Sequence, residues 1–538
     1  VVRDGRHVDS TDIAARYGVA MGGWGVIVAL LLIFVFLVMS VVPLFSGAHI
    51  ERLNGFKLAQ QSPTVYLAAE EQRQVGLRLT QDAKSLFFRL EDGSTAAESP
   101  AVLPLGQSIF TVLEANADTG MLAVVSQPAV ASDTATQATA DTAATGVTVQ
   151  MLMPVYNINN SSGKEVVEPE LTLPTAPFHF AGVPLGTDAV AVLGSAESVT
   201  YAVGTAGQQV RIERITQEKN AITEEVVTVA QPTLVLDTPI APQFVRLRPD
   251  GRFLFVANTQ GPALVYALSE QGADLLQQLN VTPSKQPLIS LQMMAGGESL
   301  LALSDAGNTG VVQQFFMAQT AQKTQGDKTL QKIRSFKTEG KPARLTVEAR
   351  RRGFAVTDAK GHSTFLYATS EKEVLDEQLS SSTIAQMSFS PRADRILVED
   401  AKGEIAVWAM HNEYPEFSGS ALWQEVWYEN YDTPDYTWQS SSGNNTYETK
   451  FSLAPLMFGT LKAAFYAMLF AVPLALMAAI FTAYFMAPAM RTTVKPAIEM
   501  MGALPSVVLG FIGGLVLAQV IEANLPAMFS LLVLLPVW

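Results

Sequence analysis

The amino-acid sequence predicts a mixed membrane and β protein, with an apolar helix near its N-terminus, a large β-rich domain, and a second group of apolar helices at its C-terminal end. Three observations predict it. Hydrophobic residues make up 48% of the 538 and charged residues 16%, a balance too apolar for an ordinary soluble chain and too charged for one held wholly in lipid. The two characters are therefore segregated. No charged residue occurs between Arg16 and Glu51, and long uncharged runs return after Lys462. Between these ends, short β-branched and aromatic runs alternate with Asp, Gly, Asn and Lys turns, which is the pattern of strands.

The first apolar run defines the N-terminal elements. Residues 1–18 read as a cytoplasmic N-terminus and residues 19–45 as a transmembrane helix, since Val19 to Phe45 is 27 residues and roughly 20 suffice to cross the hydrocarbon. A cleaved signal peptide is the competing reading, but its apolar core is shorter, roughly 7 to 15 residues. At the other end, residues 453–538 carry the uncharged runs Ala463–Met490 and Met500–Ile521. They predict helices at about 455–487 and 498–521, with a further segment, 525–538, that the sequence does not finish. Val1 and Trp538 both read as cut ends. Between the two helices, Pro488 to Pro496 reads as a short loop whose Arg491 and Lys495 place it in the cytoplasm by the positive-inside rule. Counting crossings from there, the N-terminus lies inside and residues 46–452 lie outside, the periplasmic side of a bacterial inner membrane. Arg3, Arg6 and Arg16 agree with this weakly, because Arg52 and Lys57 flank the other end of the first helix.

The formal net charge is -14, and its acidic excess lies in the outer domain. Such a surface repels nucleic-acid phosphates, and no basic patch interleaved with aromatics opposes that, so nucleic acid is not an expected partner. The chain has no cysteine, which excludes disulfides and thiolate chemistry. No phosphate-binding GxxxxGK[ST] loop occurs. The five histidines, His7, His49, His179, His362 and His411, lack metal-ligand spacing. No catalytic, cofactor or metal residues can be named, and an enzyme is not expected. Asp432 and Asp435 read as a solvated loop rather than a cation site.

Within the outer domain the strand runs repeat. Phe244-Val-Arg-Leu-Arg-Pro-Asp-Gly251 resembles Met387-Ser-Phe-Ser-Pro-Arg-Ala-Asp394, and each proline precedes a strand aromatic, Tyr266 or Trp408, by seventeen residues. Asp358-Ala-Lys-Gly361 echoes Asp400-Ala-Lys-Gly403 at an offset of 42. Tyr367 and Trp408 end the strands that follow, and Phe316 and Tyr266 extend the series backwards. A period of roughly 40 to 50 residues holding several short strands is the mark of a propeller blade, which cannot cover both its faces alone. The domain therefore resembles degenerate WD40-like β-propellers, without the Trp-Asp dipeptide; a pair of β-sandwiches is the alternative. Residues 131–146 are low in complexity and read as a loop. Trp423, Trp427, Tyr428, Tyr431, Tyr436, Trp438 and Tyr447 read as an aromatic belt at the membrane surface.

Proline interrupts both C-terminal helices. Pro473 lies mid-helix, and Leu504-Pro-Ser-Val-Val-Leu-Gly510 breaks the next; freed backbone at membrane depth is tolerated where it lines a path or meets a neighbour. Pro473, Pro505, Ser506 and Gly510 are thus candidate translocation-path or helix-break residues, with an ordinary kink as the alternative. Leu456-Met-Phe-Gly-Thr-Leu461, Phe470-Ala-Val-Pro-Leu-Ala475 and Lys495-Pro-Ala-Ile-Glu499, leading into Ala503-Leu-Pro-Ser-Val-Val-Leu-Gly510, resemble the opening of the membrane core of phosphate ABC-importer permeases of the PstC type, in a form enlarged by a periplasmic insertion. The resemblance covers residues 438–538. It implies an ABC-importer type I permease core, cut short at Trp538, that passes inorganic phosphate inward. It further implies a second permease subunit, an ATPase dimer that binds ATP and Mg, a periplasmic phosphate-binding protein, and contact with membrane lipid. The rival reading is a membrane-anchored periplasmic propeller that senses or docks a protein and transports nothing.

Overall fold

The computed structural model describes residues 10–534 apart from 46, 59–61, 99–106, 129–145, 161–164, 196, 220–225, 270–271, 320–327, 445 and 503–505. The low-complexity run, up to Gly146, lies outside the described residues, as do Arg3 and Arg6. The chain divides into two units, residues 1–455 and 456–538.

The first unit holds a seven-bladed β-propeller. Blade 1 runs through Thr64–Ala69, Val75–Thr80, Ser85–Arg89 and Thr95–Glu98. Blades 4, 5 and 6 repeat this plan over residues 244–280, 288–339 and 342–378. Blades 2 and 3 elaborate it by dividing the outermost strand in two. In blade 2 Phe178–Ala181 and Val166–Thr172 share the long strand Gly146–Asn159. In blade 3 Val226–Ala230 and Leu234–Asp237 share Gln209–Lys219. Blade 7 takes its first three strands from Ile384–Phe389, Arg395–Asp400 and Glu404–His411, and its fourth from the far end of the domain, His49–Lys57. This borrowed strand closes the ring.

Seven separate apolar clusters show why the ring forms. Each lies between one pair of adjacent blades, from the 1–2 contact through to the 7–1 contact. A blade is therefore dry on both faces, and its middle strands read as continuous apolar runs: every residue of Val75–Thr80 and Gly353–Asp358 is buried. The outer strands, such as Lys372–Gln378, meet water along much of their length. The innermost strands touch in a closed circuit of seven, each against the next. The sequence echoes are its turns. Asp358 accepts from the N–H groups of Lys360 and His362, and Asp400 accepts from Lys402 and Glu404, at 2.8–2.9 Å. Gly361 and Gly403 follow with positive φ, where a side chain would be strained. The propeller thus answers the choice left open against a β-sandwich pair.

The N-terminal helix α1 (Ser10–Val41) begins earlier than expected, inside residues 1–18, and ends in a 3₁₀ turn, Val42–Phe45. α3 (Ala454–Ile480) starts at the end of the first unit and runs into the second, which also holds a π turn, α4 (Pro488–Gly502), α5 (Ser506–Ile512), α6 (Ala518–Ala523) and α7 (Leu525–Leu534) among its described residues; α2 is named below. Two described helices are long and apolar enough to cross a membrane, Ala20–Leu44 and Ala454–Phe485. A third exists if Leu509–Ala523 and Leu525–Leu531, bent by 93°, count as one broken span.

Two expectations change here. The segment Pro488–Pro496 is helical rather than a loop, because Pro488 takes the first helical position, where its missing N–H costs nothing. The permease core is also not formed, since no described residue from 456 to 534 is buried. These helices make no packed bundle among themselves that could enclose a path for phosphate.

Candidate docking face

In an antiparallel blade the turns alternate between the two ends of the strands. First–second and third–fourth turns lie on one face of the propeller, and second–third turns lie on the other. Blade 7 has no third–fourth turn, for there the chain leaves at His411 and enters at His49, paired in register with rings stacked 4.5 Å apart. Both ends of the ring therefore open on the same face.

On that face the first–second turns share one design. Backbone N–H groups of Glu70, Arg248, Glu348 and Ser390 each donate to the carbonyl five residues on, closing four-residue loops. Side chains then stitch the loops together. Arg248 pairs with Glu298 at 2.6 Å, Arg73 with Asp394 at 3.1 Å, and Glu71 takes both Arg350 and Arg392 at 3.0 and 3.2 Å.

Residues 412–453 fold back over this face as a strap against blades 5 and 6. Ser418 caps the short helix α2 (Gly419–Trp423) through the N–H of Ala421 and donates to Ser370 O. Trp427 sets its ring edge-on to Phe316 at 6.0 Å. Beneath it lies an ionic network. Arg352 and Glu429, each under 5% exposed, pair at 2.6 Å. Ser299 donates to the other oxygen of Glu429 at 2.5 Å, Gln314 donates to Ser299, and Arg334 donates to Gln314 and to Trp427 O. Glu448 accepts from Thr369 and from the N–H of Glu429. Lys450 lies 4.4 Å above the Tyr447 ring and also faces Tyr428 and Tyr431, a desolvated cation–π cage.

Burial sets the protonation of these groups. It pushes the Glu448 carboxyl up, with Glu429 adding and Arg352 opposing. It pulls the Lys450 amine below the usual lysine range, against Glu448. For Arg352 burial works against the charge, but Glu429 and Glu448 prevail and hold its pKa above the ordinary value. A cavity of ≈ 260 Å³ remains between strap and blades, lined by Arg334, Thr369, Glu371, Gln424, Trp427 and Pro434 among others. Among the described residues no cluster of His, Asp and Glu could hold a metal ion.

This arrangement corrects the aromatic-belt expectation in part. Tyr428 is buried and Trp427, Tyr431 and Tyr447 pack within the strap, whereas Trp423, Tyr436 and Trp438 stay exposed. Asp432 and Asp435 are exposed, and Asp432 also accepts from the N–H of Gln319. The other expected site residues belong to the second unit. Pro473 lies within α3, Arg491 and Lys495 lie on α4, Ser506 opens α5, and a Cβ added at Gly510 would meet nothing within 4 Å. Pro505 lies outside the described residues. The network residues Arg334, Arg352, Glu429, Glu448 and Lys450 were missed by sequence reasoning. Their one signal is the run Arg350-Arg-Arg352 at a turn whose counterparts at residues 71–74, 249–252 and 391–394 each carry a single cation.

Set beside known proteins, the sequence matches no family model and no curated protein. Solved structures similar in shape include two fungal proteins. The Cps50 (Swd1) β-propeller domain of Myceliophteria thermophila is 11% identical with a TM-score of 0.41, covering 67% of this chain and 99% of that one. Raptor of Chaetomium thermophilum is 12% identical with a TM-score of 0.42, covering 68% of this chain and 29% of that one. The seven-bladed assignment rests on the strand pairing above. The phosphate-permease resemblance is corrected, since no family model matches and the packed domain among the described residues is a propeller. The expected second permease, ATPase dimer and phosphate-binding protein go with it.

Proposed function

We propose that the chain is a membrane-anchored β-propeller that docks partner proteins. One observation carries this reading: the ring is entered at His49 and left at His411, side by side on one face, each directly continuous with a segment leading to an apolar helix of spanning length. Tethering at one face leaves the opposite face free. Its second–third turns present exposed polar tips, Gln260, Asn308, Lys360 and Lys402, on a scaffold that seven dry interfaces keep rigid, and loops on a rigid frame are where binding residues concentrate. Arg491 and Lys495 follow the span Ala454–Phe485, and the positive-inside rule sets them on the cytoplasmic side of a bacterial inner membrane. The propeller is then periplasmic.

Two measurements test this. The chain lacks cysteine, so Ser94→Cys, Ser269→Cys and Thr492→Cys report topology cleanly: an impermeant thiol reagent on intact spheroplasts should label the first two alone. Photo-crosslinking residues placed at Gln260, Asn308, Lys360 and Lys402 in intact cells should yield one discrete protein adduct shared by neighbouring positions. No adduct at any of the four, with the protein present at normal level, would overturn the docking reading.

A further inference from the structure

We infer that α4 lies flat in the membrane interface and seats anionic lipid headgroups; this rests on the membrane anchoring proposed above. The helix follows the span Ala454–Phe485 after only Met486 and Ala487, so its first turn can be no deeper or shallower than the end of that span. Arg491 fixes the junction by donating to Ala483 O at 2.8 Å, a carbonyl that the end of the span leaves open. α5 begins at Ser506, four residues after α4 ends and within the uncharged run that reaches Ile521. A helix held between two apolar segments has no route into bulk water.

Its residues are sorted for that position. At about 100° per residue, Arg491, Lys495, Glu499 and Thr492 fall within one arc of roughly 100°. Met490, Val494, Ile498 and Met501 share a separate arc of roughly 80°, whose near edge, Ile498, lies about 20° from Arg491. Met490, Ile498 and Met501 are each more than half exposed, and no side chain of α4 is buried. An uncovered apolar stripe running alongside a cationic one is the pattern of a helix that lies in the membrane interface. On the polar side Arg491, Thr492 and Lys495, with Pro488 and Pro496, line a shallow groove of ≈ 430 Å³. Lys495 and Thr492 there are exposed and Arg491 is half-buried beside them, in a protein whose overall charge is -14. That groove fits a lipid phosphate, with the acyl chains beside the Met and Ile stripe.

The test uses the full chain in proteoliposomes of phosphatidylethanolamine and phosphatidylglycerol, with a nitroxide at single cysteines replacing Met490, Thr492, Lys495, Ile498 and Met501. Labels at 490, 498 and 501 should collide with oxygen several-fold more than with a water-soluble nickel reagent, and labels at 492 and 495 should show the reverse. Replacing phosphatidylglycerol by phosphatidylcholine, or introducing R491Q with K495Q, should move the first three toward water. Equal water access at all five positions would show a solvated helix. The same periodic protection in wholly zwitterionic vesicles would show that anionic lipid is not what seats the helix. Either result overturns the inference, whereas loss of the protein from the vesicles in alkaline carbonate would instead overturn the anchoring reading beneath it.

Discussion

The propeller and the C-terminal helices spend the same apolar side chains in opposite ways. Phe87, Phe88, Phe315 and Phe316 are fully buried between strands, while Phe458, Phe465 and Phe470 in α3 are 53–70% exposed. A blade has two faces, and each finds a neighbouring blade. A helix of spanning length needs no protein partner because hydrocarbon serves as its solvent. Under the membrane anchoring proposed above, exposure marks an unfinished surface in one region and a finished one in the other.

The sharpest way to break that contrast is to truncate one ring in each region. Phe88 sits at the contact that closes the circle, edge-on to Phe56 of the borrowed strand at 5.7 Å. Phe88→Ala should cost about 3–5 kcal/mol, the range for emptying a packed aromatic site. Phe465→Ala should change stability by less than about 0.5 kcal/mol. Thermal unfolding of the detergent-solubilised chain, followed by near-ultraviolet dichroism, measures both. Equal losses would mean that α3 packs on protein after all.

The strap offers the next test, for it is charged where the blade contacts are apolar. Arg352→Leu leaves Glu429 buried without its partner, and breaking such a pair costs about 3 kcal/mol or more. The loss should be local. Amide exchange should accelerate across residues 424–450 and stay unchanged in blades 1–3, and R352L combined with E429L should recover much of the protection. Faster exchange throughout the ring would instead make the strap a part of the propeller core.

What the sequence disclosed follows the same divide. Turns that need a particular side chain were legible: Asp358 and Asp400 repeat because each carboxylate must meet two N–H groups. The third-strand aromatics Tyr266, Tyr367 and Trp408 were legible for their spacing. Blades 1–3 were not. Their turns use residues with no echo, such as Ala83 and Gln208 at positive φ, and two of their outer strands are divided. The strap was illegible because its aromatics suit a membrane surface as well as a blade. Only the buried positions of Glu429 and Glu448 separate the two. In α4, Pro488 and Pro496 read as loop punctuation, although one begins the helix and the other is tolerated within it.

A smaller effect distinguishes the strap's chemistry from that of a dry contact. Glu448 is an acid whose pKa is raised from 4.5 in the folded state, so its contribution to stability is complete below that value and is lost as pH rises toward the raised one. Strap protection should therefore weaken from mildly acidic toward neutral pH. Glu448→Gln, which has no proton to lose, should flatten that slope. Glu348 and Glu416 are shifted in the same direction by burial, so part of the slope should persist. A slope unchanged by the substitution would assign the whole effect to those two.

The smallest expected effect lies on the closing strand and isolates exposure as the variable. Arg52 pairs with Glu404 at 2.6 Å with both side chains more than 40% exposed, whereas Arg78 pairs with Glu399 at 3.1 Å with both near 5%. The exposed pair is the shorter of the two, yet water and salt screen it, and such pairs contribute about 0–1 kcal/mol. The borrowed strand is held in any case by backbone pairing from His49 to Lys57 and by Phe56 in the 7–1 cluster. Arg52→Ala should then lower the melting temperature by no more than a few degrees at low salt, and the difference should vanish near 1 M, where the screening length is about 3 Å. Arg78→Met should cost several times more and keep its cost at high salt, because it strands Glu399 inside the 7–1 contact. If salt erased both differences equally, the buried pair would be reached by solvent, and the 7–1 seam would be the one contact in the ring that is not dry.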